Sequence, residues 1–194
     1  MRSPFHFIVT PVGGKRYDNT KNIAGKEFIM SSSQEDHTAT NRFGSVVEVP
    51  LDYNGEIQKG DILLVHHNVF RKYYDMKGRE TNGPSFFMDD LFLIDYDQFF
   101  LYKTKEGWKA PSPYCFISPI EKTEQDINTR QLEKELIGTI RYTNSIMDDM
   151  GLQQGDVVSF QPESEYEFTV EGEKIYRMFT KNICILLENG DTKD

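Results

Sequence analysis

The segment Ile57-Gln58-Lys59-Gly60-Asp61-Ile62-Leu63 has a pattern that occurs again as Leu152-Gln153-Gln154-Gly155-Asp156-Val157-Val158. In both segments a Gly-Asp pair, which favours a turn, leads into an apolar run typical of a β-strand. One pattern occurring twice in order along a chain indicates an internal duplication.

Two further segments are repeated in the same order. They are Phe7-Ile8-Val9-Thr10-Pro11 with Phe116-Ile117-Ser118-Pro119, and Phe43-Gly44-Ser45-Val46 with Ile137-Gly138-Thr139-Ile140. The distance from the Gly-led segment to the Gly-Asp segment differs by one residue between the halves. We expect each half to close with an apolar strand, at 91–94 and at 183–187.

The sequence predicts an all-β protein. Short runs rich in β-formers are separated by Gly, Pro, Asn and Asp, a pattern that favours a barrel or sandwich. Helical spacing occurs only near 129–136. The 194 residues are 38% hydrophobic, which is enough for a buried core in each half.

The duplication predicts two domains. We expect a first domain over 1–103, a linker over 104–113 that contains one Gly and two prolines, and a second domain over 114–194. The first domain has a long polar insertion, about 19–42, and its run of Ser, Gln, Asn and charged residues predicts a mobile loop. The corresponding loop of the second domain is shorter.

The repeated order of strands and turns resembles that of the GroES (chaperonin-10) co-chaperonin family. The order is an apolar strand ending in Pro, a loop, a Gly-led strand, and a Gly-Asp turn before an apolar strand. The segment Met178 to Leu186 is similar to the family's final strand. The resemblance covers most of the chain as two copies and implies two tandem GroES-like β-barrels.

The same resemblance implies a chaperonin-binding loop in the first half. The family's loop carries Ala-Gly followed by an apolar tripeptide, which correspond here to Ala24, Gly25 and Phe28-Ile29-Met30. Lys26 and Glu27 lie between them, where the family has one Gly or none. The second half has neither feature. The residues alone leave a second interpretation open, in which Phe28-Ile29-Met30 is a core strand of the first barrel.

Charge and composition restrict the partners and the compartment. The 22 Lys+Arg against 31 Asp+Glu give a net charge of −9, which disfavours nucleic acid. No apolar run reaches the roughly 18 residues of a membrane helix, so we expect no membrane partner. With two cysteines, Cys115 and Cys184, interpreted as buried free thiols, we expect a cytoplasmic protein. If a virus encodes it, the compartment is the host cytoplasm.

Other residue clusters favour structural roles over chemistry. His66 and His67 are neighbours on a predicted strand, so they should face opposite sides and not share a metal. Asp89-Asp90 and Asp148-Asp149 are interpreted as turn or solvated residues, and Arg71-Lys72-Tyr73-Tyr74 as part of a hairpin. We therefore expect no enzyme activity, no catalytic residue, no metal and no cofactor.

The function that the resemblance implies is that of a co-chaperonin. Such a protein caps the cavity of a GroEL-type chaperonin through its mobile loop and assists ATP-dependent protein folding. A homo-oligomeric ring is implied, in which the last strand of one barrel meets the first strand of the next. Within one chain, this arrangement would pair 92–94 with 115–117. The alternative is a structural or assembly protein that keeps the barrel and does not bind a chaperonin.

Overall fold

The chain is all-β and divides into two compact units, Met1–Gly107 and Trp108–Asp194. The structure is a computed structural model that describes residues 1–17, 20–23, 26–29, 40–122 and 133–187, with the backbone alone for 20–23 and 26–29. Across these ranges no helix has the length and apolar character needed to cross a membrane.

Unit 1 is built on a seven-stranded sheet. In chain order its strands are β1 (Phe7–Pro11), β2 (Thr20–Ile23), β3 (Lys26–Ile29), β4 (Phe43–Glu48), β5 (Ile62–Val65), β6 (Lys72–Tyr74), β7 (Glu80–Asn82), β8 (Phe86–Met88), β9 (Leu91–Ile94), β10 (Phe99–Thr104) and β11 (Gly107–Lys109). The order in the sheet is β11-β10-β5-β4-β1-β9-β8, while β2-β3 and β6-β7 form separate two-stranded sheets. The boundary between the units falls inside β11.

Unit 2 is built on a six-stranded sheet. Its strands are β12 (Tyr114–Glu121), β13 (Glu133–Tyr142), β14 (Val157–Phe160), β15 (Tyr166–Val170), β16 (Glu173–Phe179) and β17 (Ile183–Leu187), and the helix α1 (Ser145–Asp149) follows β13. The order in the sheet is β15-β16-β12-β13-β14-β17. The side chain of Asn144 begins α1 by accepting a hydrogen bond from the Met147 amide.

The two sheets have the same strand order once β11 is set aside. Reading β8-β9-β1-β4-β5-β10 against β15-β16-β12-β13-β14-β17 matches every strand in turn, so the predicted duplication is present in the topology. The match corrects one expectation. The counterpart of the closing strand β17 is β10 and not β9, because a 3-10 turn at Tyr96–Gln98 leads into β10 as the turn at Thr180–Asn182 leads into β17.

The register of the first strand pair is also repeated. Pro11 lies opposite Gly44 and Pro119 lies opposite Gly138. In each unit a bulge interrupts the first strand shortly before this proline. It lies between Ile8 and Val9 in unit 1 and between Phe116 and Ile117 in unit 2. Bulges bend and twist a strand, so both sheets curve at the same place.

The Gly-Asp turns have the same hydrogen bonds in both units. The Asp61 carboxylate accepts from the Gln58 amide at 2.8 Å, as the Asp156 carboxylate does from the Gln153 amide. The glycine between them has a φ of 93° in unit 1 and 98° in unit 2, a left-handed conformation that glycine adopts without steric cost. The motif therefore fixes where the next strand begins.

Each sheet curls around a cluster of buried apolar side chains. Three steps separate β10 from β1 in the sheet order, which is about 14 Å across a flat sheet. The rings of Phe99 on β10 and Phe7 on β1 nevertheless lie 5.4 Å apart, centroid to centroid. In unit 2, Ile183 of β17 packs against the core cluster that contains Cys115 of β12. Within the described residues, the hydrogen-bonded order of each sheet stays open at its two edges.

Three expectations about the elements are wrong. The segments 92–94 and 115–117 do not pair, because β9 pairs with β1 and β8, and β12 pairs with β13 and β16. The segment predicted as a helix near 129–136 begins β13 at Glu133, and its first four residues lie outside the described part. Burial raises the pKa of Cys115 to about 12, but Cys184 is exposed because β17 is an edge strand.

Gly138→Ala should destabilise the protein more than Gly44→Ala. A Cβ at Gly138 would collide with the Ile117 side chain and lie 2.8 Å from the Ser118 carbonyl oxygen, whereas at Gly44 the closest atom is Cζ of Phe70 at 3.3 Å. We expect a loss of about 1–3 kcal/mol at Gly138 and less than about 1 kcal/mol at Gly44. Urea unfolding of the full chain, followed by circular dichroism, measures both, and equal losses would contradict the prediction.

Candidate functional site

The long insertion between β1 and β4 has a closed base. Tyr17 and Thr40 form an isolated antiparallel bridge, and the Asn41 amide donates to the Arg16 carbonyl at 2.9 Å. Thr40 is only 3% exposed. The two ends of the insertion therefore meet on the body of unit 1.

The Asn41 side chain holds this base in place. Its Nδ2 donates to the carbonyl oxygens of Val12 and Lys15, both at 2.9 Å, and its Oδ1 accepts from the Phe43 amide at 2.9 Å. An asparagine amide can donate and accept at once, so one side chain joins the end of β1 to the start of β4. We call Arg16, Tyr17, Thr40 and Asn41 the insertion base.

Arg16 connects the insertion base to the segment after β5. Its Nε donates to the Phe70 carbonyl at 2.8 Å, its Nη1 to Asn82 Oδ1 at 2.7 Å and its Nη2 to the Arg71 carbonyl at 3.2 Å. The guanidinium carbon lies 5.1 Å from the centre of the Phe92 ring. Burial lowers the pKa of Arg16, while nearby acidic groups oppose the shift. The three hydrogen bonds of the guanidinium group and its contact with the Phe92 ring give the Arg16 side chain one defined position.

The β6-β7 hairpin is attached to the same base. The Tyr17 hydroxyl accepts from the Lys72 amide at 2.7 Å, and Lys72 forms an ion pair with Glu80 at 2.7 Å across the hairpin. The hairpin predicted around 71–74 is confirmed by the β6-β7 pairing. Insertion base and hairpin thus form one hydrogen-bonded assembly on unit 1.

Part of the insertion itself is a hairpin and not an irregular loop. Thr20 pairs with Ile29 and Ile23 with Lys26, in a two-stranded sheet separate from the main one. Thr, Ile and Phe in these strands are good β-formers, and the polar composition of the whole insertion concealed them.

Of the predicted binding residues, Phe28 and Ile29 lie on β3. Ala24, Gly25 and Met30 lie outside the described residues. The interpretation of Phe28-Ile29 as a core strand of the main sheet finds no support in the pairing, because the described partner of β3 is β2.

The histidine prediction is wrong in its geometry. The chain leaves β5 at Val65 and turns, with the Val69 amide donating to the His66 carbonyl at 3.0 Å. The rings of His66 and His67 therefore lie side by side, 4.1 Å apart, and not on opposite faces. In the described part of the chain, no three His, Cys, Asp or Glu residues are placed to hold a metal ion.

The acidic pairs occupy the structural positions expected of them. Asp89 and Asp90 form the turn between β8 and β9, and Asp89 has a φ of 48°. Asp148 and Asp149 are exposed at the end of α1. Neither arrangement places two carboxylates around a common cavity, as acid-base chemistry needs.

Unit 2 has a polar network on β13 and β16 that sequence reasoning did not find. Glu133 accepts from Lys174 Nζ at 2.8 Å and from the Tyr176 hydroxyl at 2.6 Å. Partial burial alone would raise the pKa of Glu133, but the two hydrogen bonds outweigh it and the pKa is lowered. The hydrogen bond to Glu133 in turn raises the pKa of Lys174. The network borders an open groove.

The insertion base was also missed from the sequence. Its residues are ordinary polar side chains at the two ends of a polar insertion, separated by more than twenty positions. The one usable signal is Asn41 directly before the Gly-led strand, since asparagine commonly satisfies backbone groups at turns.

No protein-family model matches this chain, and no curated protein matches it in sequence. We therefore infer the function from the fold and from the geometry of the insertion.

Arg16→Lys should loosen both the insertion base and the β6-β7 hairpin, because lysine cannot reproduce the three-pronged donor geometry. We expect the free energy of unfolding to fall by about 1.5–3 kcal/mol, and the amides of 71–82 to exchange faster. Hydrogen exchange with mass spectrometry on the full chain measures this. The matched control is Arg79→Lys on the exposed part of the hairpin, and equal exchange in both variants would overturn the assigned role of Arg16.

The Glu133-Lys174 pair should stabilise the fold in a pH-dependent way. The folded-state pKa of Glu133 is lowered, so the contribution is present above the unfolded-state value and is lost as pH falls through the folded-state value. The Lys174 side chain is 40% exposed, so we expect Lys174→Met to cost only about 0.5–1 kcal/mol at pH 7. The cost should decrease in urea titrations as the pH falls below the ordinary pKa of a glutamate, about 4.3.

Lys77→Met is the control for that titration, because Lys77 forms no ion pair with any described residue. Its effect should be small at every pH. A cost for Lys174→Met that stays constant between pH 7 and pH 3 would show that the carboxylate of Glu133 is not its source.

Proposed function

We propose that this protein is a co-chaperonin that caps the cavity of a GroEL-type chaperonin through the apolar segment Phe28-Ile29-Met30. One observation carries the proposal. The described part of this segment lies on a hairpin separate from the main sheet, within an insertion whose base is held by hydrogen bonds. The protein supplies no catalytic residue under this proposal, since the ATP chemistry belongs to the chaperonin.

Tandem GroES-like barrels are part of the proposal, and three features of the units support them. Both units have the same strand order, the same bulge in the first strand and the same Gly-Asp turn. The short distance between Phe7 and Phe99 requires a strongly curled sheet. A sheet curled in this way around one core is the arrangement from which a small barrel is built.

The energetics of the segment suit reversible binding. Each large apolar side chain contributes roughly 1.5–3 kcal/mol when buried in a groove. Ordering the surrounding backbone costs about 1–2 kcal/mol per residue. The pairing of β2 with β3 reduces this cost for the residues already in strands. A single site is then weak, and several sites on one ring bind tightly together because each later contact is intramolecular.

A homo-oligomeric ring in the cytoplasm completes the proposal, and the edge of unit 2 supports it. Leu101 on β10 is fully buried, and β11 lies along the outer edge of that strand. On the matching strand β17, Ile185 is 57% and Leu186 47% exposed, and β17 is the last strand of its sheet. An apolar edge of this kind favours pairing with another chain. We assign this pairing to a second copy of the chain.

Replacing Phe28, Ile29 and Met30 together by Ser should abolish binding to the source organism's chaperonin in the presence of ATP or ADP. The loss follows from removing the apolar burial that offsets the ordering cost. Surface plasmon resonance with immobilised chaperonin measures it. We expect at least a hundred-fold loss of affinity, and none of the loss should come from unfolding, as checked by circular dichroism.

The matched control replaces Phe87 and Met88, which are 44% and 41% exposed on unit 1, by Ser. This control should bind as the wild type does. Binding that survives in the triple variant would move the contact elsewhere. If the wild type binds no chaperonin with any nucleotide, the protein is instead a structural or assembly protein that keeps the fold.

A further inference from the structure

Unit 2 has an open groove of about 590 Å³ beside β13 and the connection between β14 and β15. The apolar part of its lining includes Leu136, Ile137 and Phe160, which we call the floor. Four glutamates and two lysines also line it, and one of the lysines, Lys174, is ion-paired with Glu133. We call the other three glutamates, Glu135, Glu163 and Glu165, the rim glutamates. The three rim glutamates are exposed.

The connection that borders this groove is shorter than its counterpart in unit 1. The connection from β5 to β8 runs over 66–85 and includes the β6-β7 hairpin, whereas the connection from β14 to β15 is only 161–165. In unit 1, the Phe70 ring of this longer connection packs 4.9 Å from the Phe92 ring, which also carries the Arg16 guanidinium.

Tyr176 occupies the strand position of Phe92, since Phe92 lies opposite Val9 and Tyr176 opposite Ile117. The connection of unit 2 that corresponds to the one carrying Phe70 is short, and the Lys174 ammonium lies 5.0 Å from the centre of the Tyr176 ring. In both units this position therefore has a basic side chain beside it, and in unit 1 it also has the apolar Phe70 ring.

The β6-β7 hairpin presents that combination. Met76 at its tip is fully exposed, and Lys77 and Arg79 follow it. Neither Lys77 nor Arg79 forms an ion pair with a described residue. The Asp75 carboxylate accepts from the amides of both, at 2.8 Å each, so the tip has a defined conformation.

We propose that the β6-β7 hairpin of one copy docks into the groove of unit 2 of a second copy. Met76 lies on the apolar floor, and Lys77 and Arg79 face Glu163 and Glu165. The opposite charges of tip and rim argue for this occupant, in a chain whose net charge of −9 otherwise opposes contact between copies. The contact is heterologous and can be repeated around a ring. It rests on the self-assembly part of the proposed function and not on chaperonin binding.

A charge exchange tests the proposal on the full chain. The hairpin variant is Lys77→Glu with Arg79→Glu, and the groove variant is Glu163→Lys with Glu165→Lys. Each variant alone places like charges in contact, so we expect at least ten-fold weaker self-association by sedimentation velocity. An equal mixture places opposite charges at both kinds of contact and should recover the wild-type association.

Two control variants carry the same changes in charge at other exposed positions. They are Lys59→Glu with Lys105→Glu, and Asp148→Lys with Asp149→Lys. They should associate as the wild type does. The proposed contact would be overturned if the hairpin and groove variants associate as the wild type does, or if their mixture does not associate more strongly than each variant alone.

Cross-linking measures the contact directly. In a Cys184→Ser background, one copy carries Met76→Cys and the other Pro162→Cys, and a short bismaleimide should join them only when the copies are mixed. Absence of that product also overturns the proposal. If the wild-type protein is monomeric at every concentration, the proposed self-assembly is wrong as well. Chaperonin binding by the loop segment is measured separately, and either result leaves it untouched.

Discussion

A glycine facing a proline across two neighbouring strands is the constraint on which each unit depends. Gly138 leaves room for the Ile117 side chain and the Ser118 carbonyl, and Pro119 lies opposite it. The Gly-Asp turn then fixes the start of the third strand, since the turn glycine donates to the second strand and the aspartate carboxylate caps the turn. With three strands in register and a bulge in the first, the sheet curls around a cluster of buried apolar side chains.

The two units differ where this plan does not constrain them, in the connections. Unit 1 has an insertion between its first two strands and a hairpin after its third, and Arg16 joins the two with hydrogen bonds to Phe70, Arg71 and Asn82. Unit 2 has a five-residue connection in place of that hairpin, and an open groove lies beside it. The duplicated strand order therefore presents different surfaces on the two units.

Hydrogen bonds from the Asn41 and Arg16 side chains to backbone carbonyl groups hold the insertion base. Under the proposed function, an apolar segment carried on this base binds and leaves a partner without loosening the core of unit 1. Ile185 and Leu186 give unit 2 an exposed apolar edge, and an edge of this kind favours pairing with another strand.

The all-β class and the duplication could be predicted from the sequence alone, because Gly, Pro and Gly-Asp pairs act locally on the backbone. The sequence did not reveal that β10 matches β17, that His66 and His67 lie side by side, or that Cys184 is exposed. Those facts depend on which strands become edges and where the chain leaves a strand, and both are settled by packing between distant residues. The insertion base and the groove were hidden for the same reason: their residues are ordinary polar side chains until the tertiary structure brings Arg16 to Phe70 and Glu133 to Lys174.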